Sequence, residues 1–152
     1  KCQQPDFKHI CNEGLIHRLP KVNHPVYYGG PILTNVVGVL HSTDFILTST
    51  NTLTEDKVGF TLDRKMLEVI AKGQGPKNKL ITLGMANWTT GQLEEELEHP
   101  RNPAMSWLIM DYDEKFVFGQ LEGDKSDDLW ESCVSQAIRD KTREITSKVF
   151  KN

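Results

Sequence analysis

The sequence predicts one α/β domain of the α+β kind, a mixed β-sheet packed by about three to four helices and spanning residues 1–152. Three observations predict it. Short β-branched and aromatic runs separated by turn residues begin at Val26, segments with helical spacing alternate with them from Asp63 onward, and a long helical pattern closes the chain.

Phe7 to Leu19 carries apolar residues at Phe7, Ile10, Leu15 and Ile16, a loose helical spacing interrupted by Gly14, and is read as a short helix. Val26–Tyr28, Val36–His41, Phe45–Thr50 and Val58–Leu62 are read as strands. Gly29-Gly30-Pro31, Ser42-Thr43-Asp44 and Thr54-Glu55-Asp56 punctuate them as turns. Asp63 has the character of a helix N-cap, with Met66, Leu67, Val69 and Ile70 on the buried side and Gly73 as the stop. The run Leu80–Leu83 is short and wholly apolar apart from Thr82, which predicts a strand covered on both faces.

Thr89 and Gln92 have capping-box spacing, so a second helix starts near Thr90, with Leu93 and Leu97 on one face and Glu94, Glu95 and Glu96 near its positive end. His99-Pro100 ends it, because proline disfavours α conformation in the residue before it. Ser106–Asp111 and Lys115–Phe118 are read as a strand pair around Asp113-Glu114. Finally, Trp130, Cys133, Val134, Ala137, Ile138, Lys141 and Ile145 recur at helical spacing and predict a long C-terminal helix with an inward stripe. No internal repeat and no domain linker interrupt this order.

Composition narrows the function classes. The chain is 38% hydrophobic and 26% charged, ordinary for a globular protein that folds alone. Acidic residues outnumber basic ones 21 to 18, for a net charge of −3, so the overall field repels polyanions and direct binding of nucleic acid is not expected. Apolar stretches such as Trp107–Met110 are far below the ~20 residues of a membrane helix, and no membrane association is expected. Cys2, Cys11 and Cys133 form no disulfide framework, which together with the lack of a signal-peptide pattern points to the cytoplasm.

Several motifs resemble sites and have simpler explanations. His41-Ser42-Thr43-Asp44 holds the residue types of a hydrolytic triad, but triad members come from separated segments, and no catalytic residue is assigned. His9, Cys11 and His17 offer three ligand types at irregular spacing, and no metal or cofactor is expected. Asp111-x-Asp113 starts like a calcium loop but has Lys115 at the fifth position and no glutamate at the twelfth. The loop Lys72–Lys79 is basic and glycine-containing, yet it follows a helix instead of a strand and fails the phosphate-loop context. More informative are Tyr28-Gly29-Gly30-Pro31, where glycines let backbones approach closely, and Met85–Gly91, at the carboxyl end of a buried strand where α/β sheets commonly bind ligands.

Tyr28-Gly29-Gly30-Pro31, Leu40-His41, the stretch Leu83 to Leu97, Ser106-Trp107-Leu108 and Trp130 occur in an order that resembles the AlgH/YqgE family. Within it G-x-A-x-W-x-x-G-Q-L-E-x-E-L is the specific part, and the match extends from about Val26 to Ile138. The resemblance implies a compact α/β or α+β fold. Its members carry a transcriptional-regulator label without an assigned biochemical activity, and here no basic helix and no helix-turn-helix pattern accompany that label. Departures include Met85 and Asn87 in place of usually aromatic and small residues, an apparent insertion at His99–Ala104, and a chain that begins after the strand-turn-strand unit of longer members.

The resulting expectation is a non-catalytic binding or interaction module holding a small ligand or a protein partner, of unassigned oligomeric state. Its candidate site comprises Gly29, Gly30, His41, Trp88, Thr90 and Gly91. The alternatives are an enzyme that uses His41 as general acid or base, and a transcriptional regulator.

Overall fold

The computed structural model describes residues 7–10, 23–98, 107, 109–119 and 126–149. The chain divides into two compact units, Lys1–Asn87 and Trp88–Asn152. The first holds helices α1 (Phe7–Ile10) and α2 (Arg64–Ala71) and strands β1 (Val26–Tyr28), β2 (Ile32–Ser42), β3 (Asn51–Leu53), β4 (Val58–Thr61) and β5 (Lys79–Met85). The second holds α3 (Gln92–Glu98), α4 (Glu114–Phe118) and α5 (Ser126–Val149). The architecture is α+β, with a five-stranded mixed sheet in the order β1-β5-β2-β4-β3.

β5 pairs parallel with β1 through Tyr28↔Leu83, and antiparallel with β2 from Val37↔Leu83 to His41↔Lys79. Flanked on both sides, β5 is central in the sheet, but only Ile81 and Gly84 of it are buried, so the cover on both faces that its apolar run predicts is not found. α2 covers one face. Asp63 is extended, and its carboxylate accepts from the Lys65 N–H at 2.9 Å, which starts the helix where the sequence places the cap. Met66, Leu67, Ile70 and Ala71 then bury against Val26, Val37, Val39 and Ile81, and α1 adds Phe7 and Ile10 to this core. The Phe7 N–H donates to the His24 carbonyl at 3.0 Å, tying α1 to the entry of β1. The part of the expected first helix beyond Ile10 lies outside the described residues.

Two expected strands are replaced for local reasons. Phe45–Thr50 is a turn: the Leu47 N–H donates to Thr50 Oγ1 at 2.9 Å, and the Thr50 N–H donates to the Leu47 carbonyl at 3.0 Å. A threonine hydroxyl that satisfies a nearby backbone N–H competes with a strand ladder, so pairing with β4 begins only at Asn51. Phe45 and Leu47 still pack partly buried against the core, which accounts for their apolar character.

Lys115–Phe118 is helical. The Asp113 carboxylate accepts from the Lys115 N–H at 2.8 Å, Glu114 stands in the first turn, and Phe118 is buried. The Asp113 cap starts a helical turn where the apolar run Phe116–Phe118 is read from sequence as a strand. Residues 107 and 109–113 form no strand. α3 begins at Gln92, two residues after the position the capping box predicts. α5 runs for 24 residues as expected, but of its predicted stripe only Ala137 is buried, while Trp130, Ile138 and Ile145 are exposed.

The turn joining β3 to β4 holds Thr54, Glu55 and Asp56 successively at φ 54°, 53° and 64°. It is closed by the Lys57 N–H donating to the Thr54 carbonyl at 3.1 Å.

Candidate functional site

β1 reaches β2 through Gly29, Gly30 and Pro31 alone, yet the two strands are not neighbours, because β5 lies between them. The connection therefore crosses the carboxyl end of β5, backbone upon backbone. The Gly29 N–H donates to the Leu83 carbonyl at 2.9 Å. A Cβ on Gly29 would stand 2.3 Å from the Gly84 carbonyl oxygen, and one on Gly30 would stand 2.3 Å from the Met85 carbonyl carbon. Gly84 completes the crossing from the other side: its φ is 76°, and a Cβ there would meet the Gly30 oxygen at 2.4 Å. No side chain fits between these chains, which is why three glycines meet here. Past the crossing, Leu33 has φ 51°, and the β2–β5 register jumps between Ile32 and Val37, so residues around Leu33 bulge from the ladder.

His41 is not part of this arrangement. It pairs with Lys79, the first residue of β5, whereas Ile32 beside the turn pairs with Met85, the last. Six residues of strand separate those ends by about 20 Å. His41 is also 0% exposed. Its Nδ1 lies 2.9 Å from the Ser42 carbonyl and its Nε2 2.9 Å from Thr61 Oγ1, which lies 2.8 Å from Thr50 Oγ1.

The Ser42 end of that chain fixes its direction. The Ser42 carbonyl can only accept, so Nδ1 carries a proton; in the neutral imidazole Nε2 then accepts from Thr61, whose single hydroxyl proton is thereby used, and Thr61 accepts in turn from Thr50. Every polar atom of the relay is satisfied within the fold, and the imidazole has no path to a dissolved substrate. Gly59 makes room for it, since a Cβ there would meet His41 Cε1 at 2.5 Å. Nor is a triad formed by its neighbours: Ser42 Oγ donates to Asp44, and Asp44 accepts from the Lys77 N–H at 3.1 Å. The Ser42 hydroxyl and that backbone N–H hold the Asp44 carboxyl below its ordinary pKa.

In the second unit, Trp88 is half-buried and Thr90 and Gly91 are exposed, all on the loop that opens α3. The Trp88 ring stands edge-to-face with Trp107 at 5.7 Å between centroids and 64° between planes. Its Nε1–H donates to Glu96 at 3.3 Å. Gln92 Oε1 accepts from both the N–H and the hydroxyl of Thr89, each at 3.1 Å, which is the glutamine half of a capping box. Gln92 Nε2 in turn donates to Glu96 at 3.4 Å. Thr89, Gln92, Glu96 and Trp88 thus form one hydrogen-bonded set that fixes the indole. Gly91 has φ 82°, with open space where a Cβ would stand.

The structure therefore unites Gly29 and Gly30 with Gly84–Ala86, and groups Trp88, Thr90 and Gly91 on one loop. Two partners escaped the sequence reading. Gly84 gave its signal only as the glycine ending an apolar run, and Trp107 had no periodicity that could pair it with Trp88. Among the described residues no three His, Cys, Asp or Glu side chains group as metal ligands, and no helix is long and apolar enough to cross a membrane. Cys133 is a free thiol. Cys11 and His17 lie outside the described residues.

Comparison with known proteins agrees with this architecture. The solution structure of the AlgH protein from Pseudomonas aeruginosa superposes with a TM-score of 0.68 at 26% identity, over 87% of this chain and 66% of that one. A UPF0301 protein from Bradyrhizobium sp. strain BTAi1 is 40% identical over 102 residues, 67% of this chain and 45% of its own length. One from Rickettsia akari is 38% identical over 112 residues, 72% of this chain and 53% of its own. The chain thus spans about half the length of the curated relatives it matches. The sequence profile described as AlgH-like matches residues 5–141, and the chain, with its glycine crossing and tryptophan loop, belongs to that family.

Proposed function

We propose that this protein is a non-catalytic binding module of the cytoplasm, in which the Trp88–Gly91 loop engages a segment of a protein partner. The observation that carries this reading is the Trp88–Trp107 pair, whose outer ring is 45% exposed although tryptophan has a large apolar surface to hide.

Chemistry favours an apolar or aromatic occupant over an anion. Glu94 and Glu95 stand in the first turn of α3, and Gln92 already occupies the Thr89 donors, so an incoming phosphate or carboxylate meets like charge and few vacant N–H groups. Trp107 and Ile109, both exposed, supply apolar surface within the same unit.

The test is a two-dimensional NMR titration of the tryptophan indole N–H signals, with apolar and aromatic peptides and with anionic metabolites. Peptides are expected to shift the Trp88 signal and to lose affinity for Trp88→Ala, while anions leave it in place. A set of peptides and metabolites none of which moves a resonance between Ala86 and Gln92 would sink the proposal.

A further inference from the structure

Glu96 is half-buried against the edge of the Trp88 indole, and both of its hydrogen bonds come from neutral groups. Trp88 Nε1–H donates to Oε2 at 3.3 Å, and Gln92 Nε2 donates to Oε1 at 3.4 Å. A carboxylate draws a cationic N–H donor to about 2.7–2.9 Å. Both bonds here are longer than even the ordinary N–H···O distance of about 2.9–3.0 Å, so the acceptor capacity of the two oxygens is far from filled. α3 contains no lysine or arginine, and among the described residues no cation lies within ion-pair distance of Glu96. Partial burial makes an uncompensated charge costly, and a cation supplied from outside relieves that cost.

The aromatic pair selects the kind of cation. Trp107 is 45% exposed, and its ring is held 5.7 Å from that of Trp88. An exposed indole beside a carboxylate suits a flat, weakly hydrated cation. A guanidinium stacks on the ring through its plane and at the same time donates from its edge to the carboxylate. An ammonium is a compact, strongly hydrated point charge without a plane to stack. A neutral aromatic ring would cover Trp107 and leave the charge of Glu96 uncompensated.

We propose that the Trp88 loop takes an arginine side chain of its partner segment, with the guanidinium stacked on Trp107 and donating to Glu96. This inference rests on the reading of the loop as a site for a peptide segment, and specifies the side chain that the segment carries.

The test uses three peptides of one apolar, aromatic-containing sequence that differ only at a central position, which holds arginine, citrulline or lysine. Each is titrated into the full chain and followed by the tryptophan indole N–H signals. Citrulline keeps the shape of arginine and removes its charge. The arginine peptide is expected to bind at least about tenfold more tightly than the citrulline peptide, and a few-fold more tightly than the lysine one. Glu96→Gln keeps an acceptor for the Trp88 N–H but removes the charge, and is expected to cut the preference for arginine over citrulline to about twofold. Cross-relaxation between the Trp88 and Trp107 rings verifies that the loop of this variant is intact. Glu98→Gln removes an equal charge about 200° round α3, and is expected to leave the preference in place. Equal affinities for the arginine and citrulline peptides would overturn this inference and leave the peptide-binding reading standing, whereas no binding by any of the three would overturn both. Equal losses from Glu96→Gln and Glu98→Gln, or a lysine peptide that binds as tightly as the arginine one, would also overturn it.

Discussion

Gly29 offers the sharpest test of the crossing, because it isolates crowding from backbone strain. Its φ is not in the left-handed region, so alanine can adopt the local conformation. What alanine cannot do is share space with the Gly84 carbonyl oxygen 2.3 Å from its Cβ, a backbone atom of an interior strand that has no rotamer with which to withdraw. Relief requires a displacement of about 1 Å, to reach ordinary contact distance. Overpacking of that kind costs about 1–3 kcal/mol, and the shift also strains the Gly29 N–H bond to Leu83, worth about 0.5–1.5 kcal/mol. Reduced freedom of the unfolded chain returns about 0.4–1 kcal/mol.

Gly29→Ala is therefore expected to destabilise by about 2–3 kcal/mol, lowering Tm by about 5–10 °C at this chain length. Gly91→Ala is the control: its φ of 82° carries the left-handed penalty of about 1 kcal/mol, but nothing lies within 4 Å. Urea unfolding followed by circular dichroism gives both values. Equal losses at the two positions would refute a backbone crossing at Gly29.

Three further outcomes follow from local structure. Thr61→Val leaves Thr50 and His41 Nε2 without their shared partner inside the fold, and is expected to cost about 1–3 kcal/mol in urea unfolding. A neutral result would mean that the relay is not buried. Glu55→Gly removes a left-handed penalty of about 1–2 kcal/mol at the cost of about 0.5–1 kcal/mol of glycine entropy, so a small rise in the urea midpoint is expected. A fall would place that turn in another conformation. For Asp44, the folded pKa lies below the unfolded value, so its contribution to stability is present above the unfolded pKa and is lost as pH falls through the folded one. Ser42→Ala removes the first cause of the shift, and an NMR titration is expected to show the Asp44 carboxyl moving up toward its ordinary range. An unmoved titration would assign the depression to the Lys77 N–H instead.

Much of the first unit was legible because cap, period and burial agree there. Asp63 caps, Met66, Leu67 and Ile70 bury, and the apolar run at Leu80–Leu83 sits inside the sheet. Legibility failed where a single side chain outweighed the pattern. Thr50 turns Phe45–Thr50 back on itself, and Asp113 caps the short apolar run Phe116–Phe118 into α4. The candidate site divides on the same principle. Two adjacent glycines announce a close backbone approach in any sequence, but only topology identifies the strand approached, because β5 enters between β1 and β2 from some fifty residues downstream in the chain. His41 illustrates the reverse case: a histidine at a strand end looks reactive until Thr61, twenty residues away, takes its second nitrogen.

The C-terminal helix departs from its sequence pattern in another way. Its period groups the apolar residues on one face, but that face is not the inward stripe the spacing predicts. A core inside the chain is the expected cover for such a stripe, yet Trp130, Ile138 and Ile145 are exposed. An apolar face of this length is costly to leave wet, because each large side chain forgoes on the order of 1.5–3 kcal/mol of burial.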